Sequence, residues 1–178
     1  MQKKDIRYPI GPFSPPEEIV LPTRRRMLGE FANIPAALRK TVSKIPVEKL
    51  DTPWRPGGWT LRQVIHHIAD SHMNGFIRCK LALTEKNPDI TRYSQPAWAE
   101  CPDALLSAVS YSIDLLTSLH IRWLILFENI SEEEWKRSFH HPEMGDITLE
   151  TALALYTWHG KHHTEQLNAW LRGETGTS

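Results

Sequence analysis

The chain has 178 residues, with 21 lysines and arginines against 21 aspartates and glutamates. That length suits one domain able to bury its own core, and the even charge balance disfavours nucleic acid or an anionic membrane as a partner. Cys79 and Cys101 lack framework spacing, no apolar leader follows Met-Gln-Lys-Lys-Asp, and the apolar run at Trp123–Phe127 is too short to span a bilayer, so a cytoplasmic protein is expected.

The stretch from Tyr8 to Pro22 is studded with proline and reads as an extended arm, within an N-terminal segment of about residues 1–22. Leu28, Phe31, Leu38, Val42 and Ile45 recur at helical spacing and predict a helix from about Thr23 to Lys44. Pro35 lies inside it and should kink or split it. Asp51 to Trp59 is a turn-rich connection in which Gly57-Gly58 reads as a turn. Thr60 and Gln63 then form a T-x-x-Q capping box that opens a second helix. Its apolar stripe is Leu61, Val64, Ile65, Ile68, His72, Phe76, Cys79 and Leu83. Residues 86–102 hold three prolines and no clean period, as a long crossover would. Leu106, Val109, Ile113, Leu116, His120, Trp123 and Phe127 predict a third helix from about Asp103 to Phe127. Ser131 and Glu134 form a second capping box, before a short helix. His140 to Ile147 reads as a loop, and the last helix runs from near Thr148 to a C′ glycine near Gly173. Four long helices, one crossover and no strand pattern predict an all-α fold, a single four-helix bundle.

The chemistry lies in the histidines. There are nine, bunched as His66-His67 with His72, as His140-His141, and as His159 with His162-His163. The seam of the last helix reads Leu149, Ala152, Tyr156, His159, His163, Gln166 and Trp170. His159 and His163 stand at i and i+4, about 6 Å apart on one face, which lets two imidazoles share one ion. Buried without partners, each would cost on the order of 1–3 kcal/mol.

A third ligand must come from another helix. His67 begins a polar line with Ser71, Asn74 and Arg78 beside the apolar stripe. That line suits a cavity wall or a solvated surface. His66 points further round toward solvent. His72, mid-stripe, reads as a hydrogen-bonded core residue, and His120 as either a packed core residue or a support for a ligand. Missing motifs narrow the reaction. His159-Gly-Lys-His-His163 lacks the zincin glutamate, and no Glu-x-x-His, G-x-S-x-G, P-loop or dinucleotide fingerprint occurs.

Two stretches carry a family resemblance: Gly57-Gly-Trp-Thr-Leu-Arg-Gln-Val-Ile-His-His-Ile-Ala-Asp-Ser-His-Met-Asn74 and Leu155-Tyr-Thr-Trp-His-Gly-Lys-His-His163. With Tyr8-Pro-Ile-Gly11, Leu119-His-Ile-Arg-Trp123 and Phe139-His-His-Pro142, they resemble the DinB/YfiT superfamily, and its YfiT branch most closely, over nearly the whole chain. The resemblance implies a four-helix bundle with a long crossover. It also implies one divalent metal, zinc or nickel, held by His67, His159 and His163, and a homodimer. It thereby selects His67 over His66. It implies a metal-dependent hydrolase, with S-transferases using bacillithiol or a similar low-molecular-weight thiol among the relatives.

Three histidines leave the fourth position of a tetrahedral ion open. Water there would make a hydrolase. A thiol there would make a transferase, which the lack of an obvious carboxylate base favours. A fourth protein ligand, from His72, His162 or Gln166, would make a metal-stabilised binding bundle without catalysis. For thiol chemistry, Ser71, Asn74 and Arg78 would form the substrate wall, with His120 and Gln166 as supports. Arg78, about 16 Å along the helix from His67, is placed to grip a carboxylate.

Overall fold

The computed structural model describes residues 5–17 and 19–175. Four long helices carry the fold: α1 (Leu21–Val42), α2 (Leu61–Thr84), α5 (Val109–Glu128) and α6 (Leu149–Leu171). Two short ones, α3 (Gln95–Ala99) and α4 (Pro102–Leu106), sit in the crossover between α2 and α5. α1 packs on α5 and α6, and α2 packs on the same two helices. The cyclic order is therefore α1-α5-α2-α6, and the connections from α1 to α2 and from α5 to α6 cross the bundle's diagonal. No helix among the described residues is long and apolar enough to cross a membrane.

Local sequence explains most boundaries. Thr60 accepts from the Gln63 N–H, and the Gln63 side chain accepts from the Thr60 N–H, so the predicted box caps α2. Thr148 caps α6 through the Thr151 N–H at 3.1 Å. At the other end Gly173 takes a φ of +71°, the left-handed C′ conformation that glycine adopts freely. Phe31, Leu38, Ile65, Ile68, Leu116, Trp123, Leu149 and Leu153 are fully enclosed between the helices. Each such side chain contributes roughly 1.5–3 kcal/mol by leaving water. Gly75 and Gly160 mark where helices meet too closely for a side chain: a Cβ on Gly160 would lie 2.6 Å from Ile34 Cγ2.

Four expectations need correction. Pro35 does not split the first helix, which runs unbroken from Leu21 to Val42. The third predicted helix is two. Ser107 is extended, with ψ of 151°, and its carbonyl accepts from Arg62 Nη1 at 2.8 Å. Neither Ser107 nor Ala108 is a breaker, so periodicity passed over the joint. The capping box of Ser131 and Glu134 forms, but it opens a single 3-10 turn, Glu134–Lys136. The predicted loop after it is a hairpin of β1 (Ser138–His141) and β2 (Gly145–Thr148), paired antiparallel from Ser138↔Thr148 to His141↔Gly145. Four-residue strands are too short to show a period of two, and a left-handed Gly145 makes the turn. The hairpin also holds the crossover, since His140 exchanges backbone bonds with Pro88 and Ile90.

The arm lies against α6 rather than projecting from the bundle. The Gly11 carbonyl accepts from Trp158 Nε1 at 3.1 Å, and the Arg7 carbonyl from Gln166 Nε2 at 3.0 Å. Tyr8 packs on the His162 ring, with centroids 5.7 Å apart.

Candidate metal centre

α2 and α6 are neighbours, and their packing brings His67 of α2 to His159 and His163 of α6. One nitrogen from each ring lies within 4.8 Å of the others. His67 Nε2 and His159 Nε2 are 3.2 Å apart. Two nitrogens bound to one tetrahedral ion at 2.0–2.1 Å stand about 3.3 Å apart, so this spacing fits an edge of a zinc-type coordination shell.

The outer nitrogens fit the same role. Gln166 Oε1 accepts from His163 Nδ1 at 2.7 Å, and Gln166 Nε2 donates to the Arg7 carbonyl and to His162 Nε2. The amide is thus oriented by two acceptors, which leaves its oxygen for His163. His163 then carries its proton on Nδ1 and presents a bare Nε2 to the ion. His159 Nδ1 is buried and has no partner. Burial pushes His67 down to about 4 and holds His159 and His163 well below the ordinary histidine range. Neutral imidazole is the form that ligates. Three neutral donors converging in a largely buried site fit one divalent cation.

No aspartate or glutamate among the described residues joins this group, nor is one among the charges acting on the three rings. His72 and His162 are outside the ligand group as well. His162 Nε2 and both ends of the Gln166 amide are engaged with each other, with Arg7 and with His163. The structure thus brings together three protein donors.

The other sequence candidates lie elsewhere. His66 is a correction: it is buried, and its Nδ1 pairs with Ser112 Oγ at 2.7 Å. α5 packs over the face that periodicity assigned to solvent. His72 Nδ1 pairs with His120 Nε2 at 2.9 Å, and His120 Nδ1 donates to the Phe31 carbonyl at 3.0 Å. Asn74 turns back to the Asp70 carbonyl of its own helix, and Arg78 Nη1 donates to Tyr156 OH at 3.3 Å. Ser71 is buried.

A pocket of about 320 Å³ is lined by His163 together with Arg7, Tyr8, Trp54, Arg55, Trp59 and Gln166 among others. Ser71, Asn74 and Arg78 do not line it. Trp59 also packs on His67, with centroids 4.8 Å apart. Trp54, Arg55 and Trp59 are not among the residues that the sequence singles out for the site, and neither are the arm's Arg7 and Tyr8. The one available signal was tryptophan bunched around a Gly-Gly turn just ahead of the capping box.

Comparison with known proteins agrees with this geometry. The chain is 46% identical over 165 residues to a protein of Bacillus cereus named "Putative metal-dependent hydrolase", covering 93% of this chain and 95% of that one. A Bacillus anthracis protein of the same name is 45% identical over the same length. Among solved structures, the fold matches YfiT from Bacillus subtilis, described as "a probable metal-dependent hydrolase with an unusual four-helix bundle topology". That match has a TM-score of 0.92 and 43% identity, covering 94% of this chain and 97% of that one. The four-helix bundle protein TT2238 shares the fold alone, at a TM-score of 0.60 and 18% identity over 83% of this chain and 99% of its own. The DinB superfamily model matches residues 30–167, a span that contains all three histidines, and the chain belongs to that superfamily.

Proposed function

We propose that this protein is a metal-dependent hydrolase acting on a small molecule at the centre formed by His67, His159 and His163. The observation that carries the reading is the convergence of three neutral imidazoles, joined by no further histidine, cysteine or carboxylate among the described residues, beside a pocket of about 320 Å³. A divalent ion held there, zinc or nickel as the family resemblance implies, would supply Lewis acidity that polarises the bond attacked and makes the attacking group more acidic. The chain's own residues do the rest. Gln166 holds His163 in the ligating tautomer. Trp59 screens His67 from water. Arg55 puts a positive charge on the pocket's rim, Arg7 beside it being paired with Asp5, and Trp54 and Trp59 give it apolar walls. An anionic substrate with an apolar portion suits that lining.

A second reading is transfer to or from a low-molecular-weight thiol. It is favoured by a ligand group that no carboxylate joins among the described residues. Hydrolysis gains from a general base that takes the proton of water, whereas a thiol gives up its proton near neutral pH with less help. Turnover of an ester, amide and alkyl-halide panel, with zinc and nickel forms each assayed with and without added thiol, separates the two. Release of product without thiol supports hydrolysis. Turnover seen only with thiol overturns it in favour of transfer.

A further inference from the structure

A hydrogen-bond chain that begins at a proline runs through two buried histidines beside the centre. Pro35 has no N–H, so it cannot bond the Phe31 carbonyl one turn earlier in α1. His120 Nδ1 of α5 lies 3.0 Å from that oxygen. A carbonyl can only accept, so Nδ1 carries the proton of His120. His120 is almost wholly enclosed, at 1% exposure, and burial keeps it neutral. Its Nε2 is therefore a bare acceptor, and His72 Nδ1, 2.9 Å away, must donate to it. His72 is fully enclosed too, so its own Nε2 is a second bare acceptor. That atom is buried without a partner. The Phe31 ring lies nearly parallel to both imidazoles, at 15° to His120 and 14° to His72, which limits their rotation.

The next ring is His159. With Nε2 directed at the ion, its proton must sit on Nδ1, and Nδ1 is likewise buried without a partner. The ring centroids of His72 and His159 are 5.3 Å apart, against 5.0 Å for the bonded pair His72 and His120. Two unsatisfied nitrogens of opposite character therefore stand on neighbouring rings, and His159, which Phe31 does not stack against, is the ring left to turn toward His72.

We propose that His159 Nδ1–H donates to His72 Nε2 when the centre is loaded. The result is a directed relay from His159 through His72 and His120 to the Phe31 carbonyl that Pro35 leaves free. His72 and His120 are then positioning residues, which hold a metal ligand in its binding tautomer as Gln166 holds the other ligand of α6. This rests on the three-histidine reading of the centre.

The test uses zinc alone as probe. Long-range proton–nitrogen NMR of the zinc-loaded protein, labelled at histidine nitrogen, should show His72, His120 and His159 each protonated at Nδ1. Chelator competition should show His120→Leu binding zinc about tenfold more weakly. His120→Gln, which can still accept from His72, should recover most of that loss. A merely structural role for His120 would not set the proton position on His72 in the unsubstituted protein. A zinc-loaded spectrum with His72 protonated at Nε2, or unchanged affinity in His120→Leu, overturns the relay. His163→Ala distinguishes the two readings. Loss of zinc there leaves the centre standing even if the relay fails, and retention of zinc overturns both.

Discussion

Replacing Gly75 with alanine probes the helix contact that sets the metal centre. Gly75 lies on α2, eight residues after His67, and an added Cβ would stand 2.3 Å from Tyr156 Cζ and 2.6 Å from Trp123 Cη2. Trp123 is fully enclosed and Tyr156 is 3% exposed, so neither ring can swing into solvent. Alanine favours a helix interior over glycine by about 1 kcal/mol. Overpacking a filled core costs about 1–3 kcal/mol and occasionally more, and contacts this short against enclosed rings belong at or above the upper end. The net expectation is a loss of about 2 kcal/mol, which lowers Tm by about 4–8 °C at this chain length. Tyr156 is three residues before His159, so parting α2 from α6 also spreads the ligands, and zinc binding should weaken. Gly29 is the control: it lies on α1 with nothing within 4 Å of an added Cβ. Gly29→Ala should raise stability by about 0.5–1 kcal/mol and leave zinc binding alone. Thermal unfolding and chelator competition on both variants read these effects. Gly75→Ala with wild-type Tm and wild-type zinc affinity would refute the close approach of α2 to α6.

Three further outcomes follow from the centre. His163→Ala should abolish stoichiometric zinc, as measured by elemental analysis after dialysis, and full retention would remove His163 from the ligand set. Gln166→Leu, which takes away the acceptor 2.7 Å from His163 Nδ1, should weaken zinc about 10–100-fold in chelator competition, while Gln166→Glu keeps an acceptor and should lose less. Equal affinities for all three proteins would show that the amide does not set the tautomer. Acid should destabilise the metal-free protein between about pH 6.5 and pH 4. His67, His120 and His162 are each pushed down to about 4 by burial, so in that window the unfolded chain binds protons that the folded one does not, and stability falls with pH. Each group withholds about 1.4 kcal/mol per pH unit there, and urea midpoints that stay flat from pH 7 to pH 4.5 would contradict the burial of these rings.

The helices were legible because their signals are local. A capping box at Thr60, a glycine after the last turn of α6 and stripes at three- and four-residue spacing each act within a few residues of chain. The pair His159 and His163 was legible for the same reason, since a helix places i and i+4 on one face whatever surrounds it. His67 was harder, because periodicity shows which residues share a face but not which face a neighbouring helix covers. The same ambiguity misplaced His66, whose side is covered by α5 and Ser112. Packing between elements distant in sequence decided everything else at the centre. The arm folds back so that the Arg7 carbonyl orients Gln166, 159 residues away. The turn before α2 and the arm together line the pocket at His163. Pro35, which read locally as a helix breaker, lies in an unbroken helix and leaves a carbonyl for His120 on another helix. A hydrogen bond of that kind depends on two backbones approaching each other, and the spacing of residues along one of them carries no record of the other.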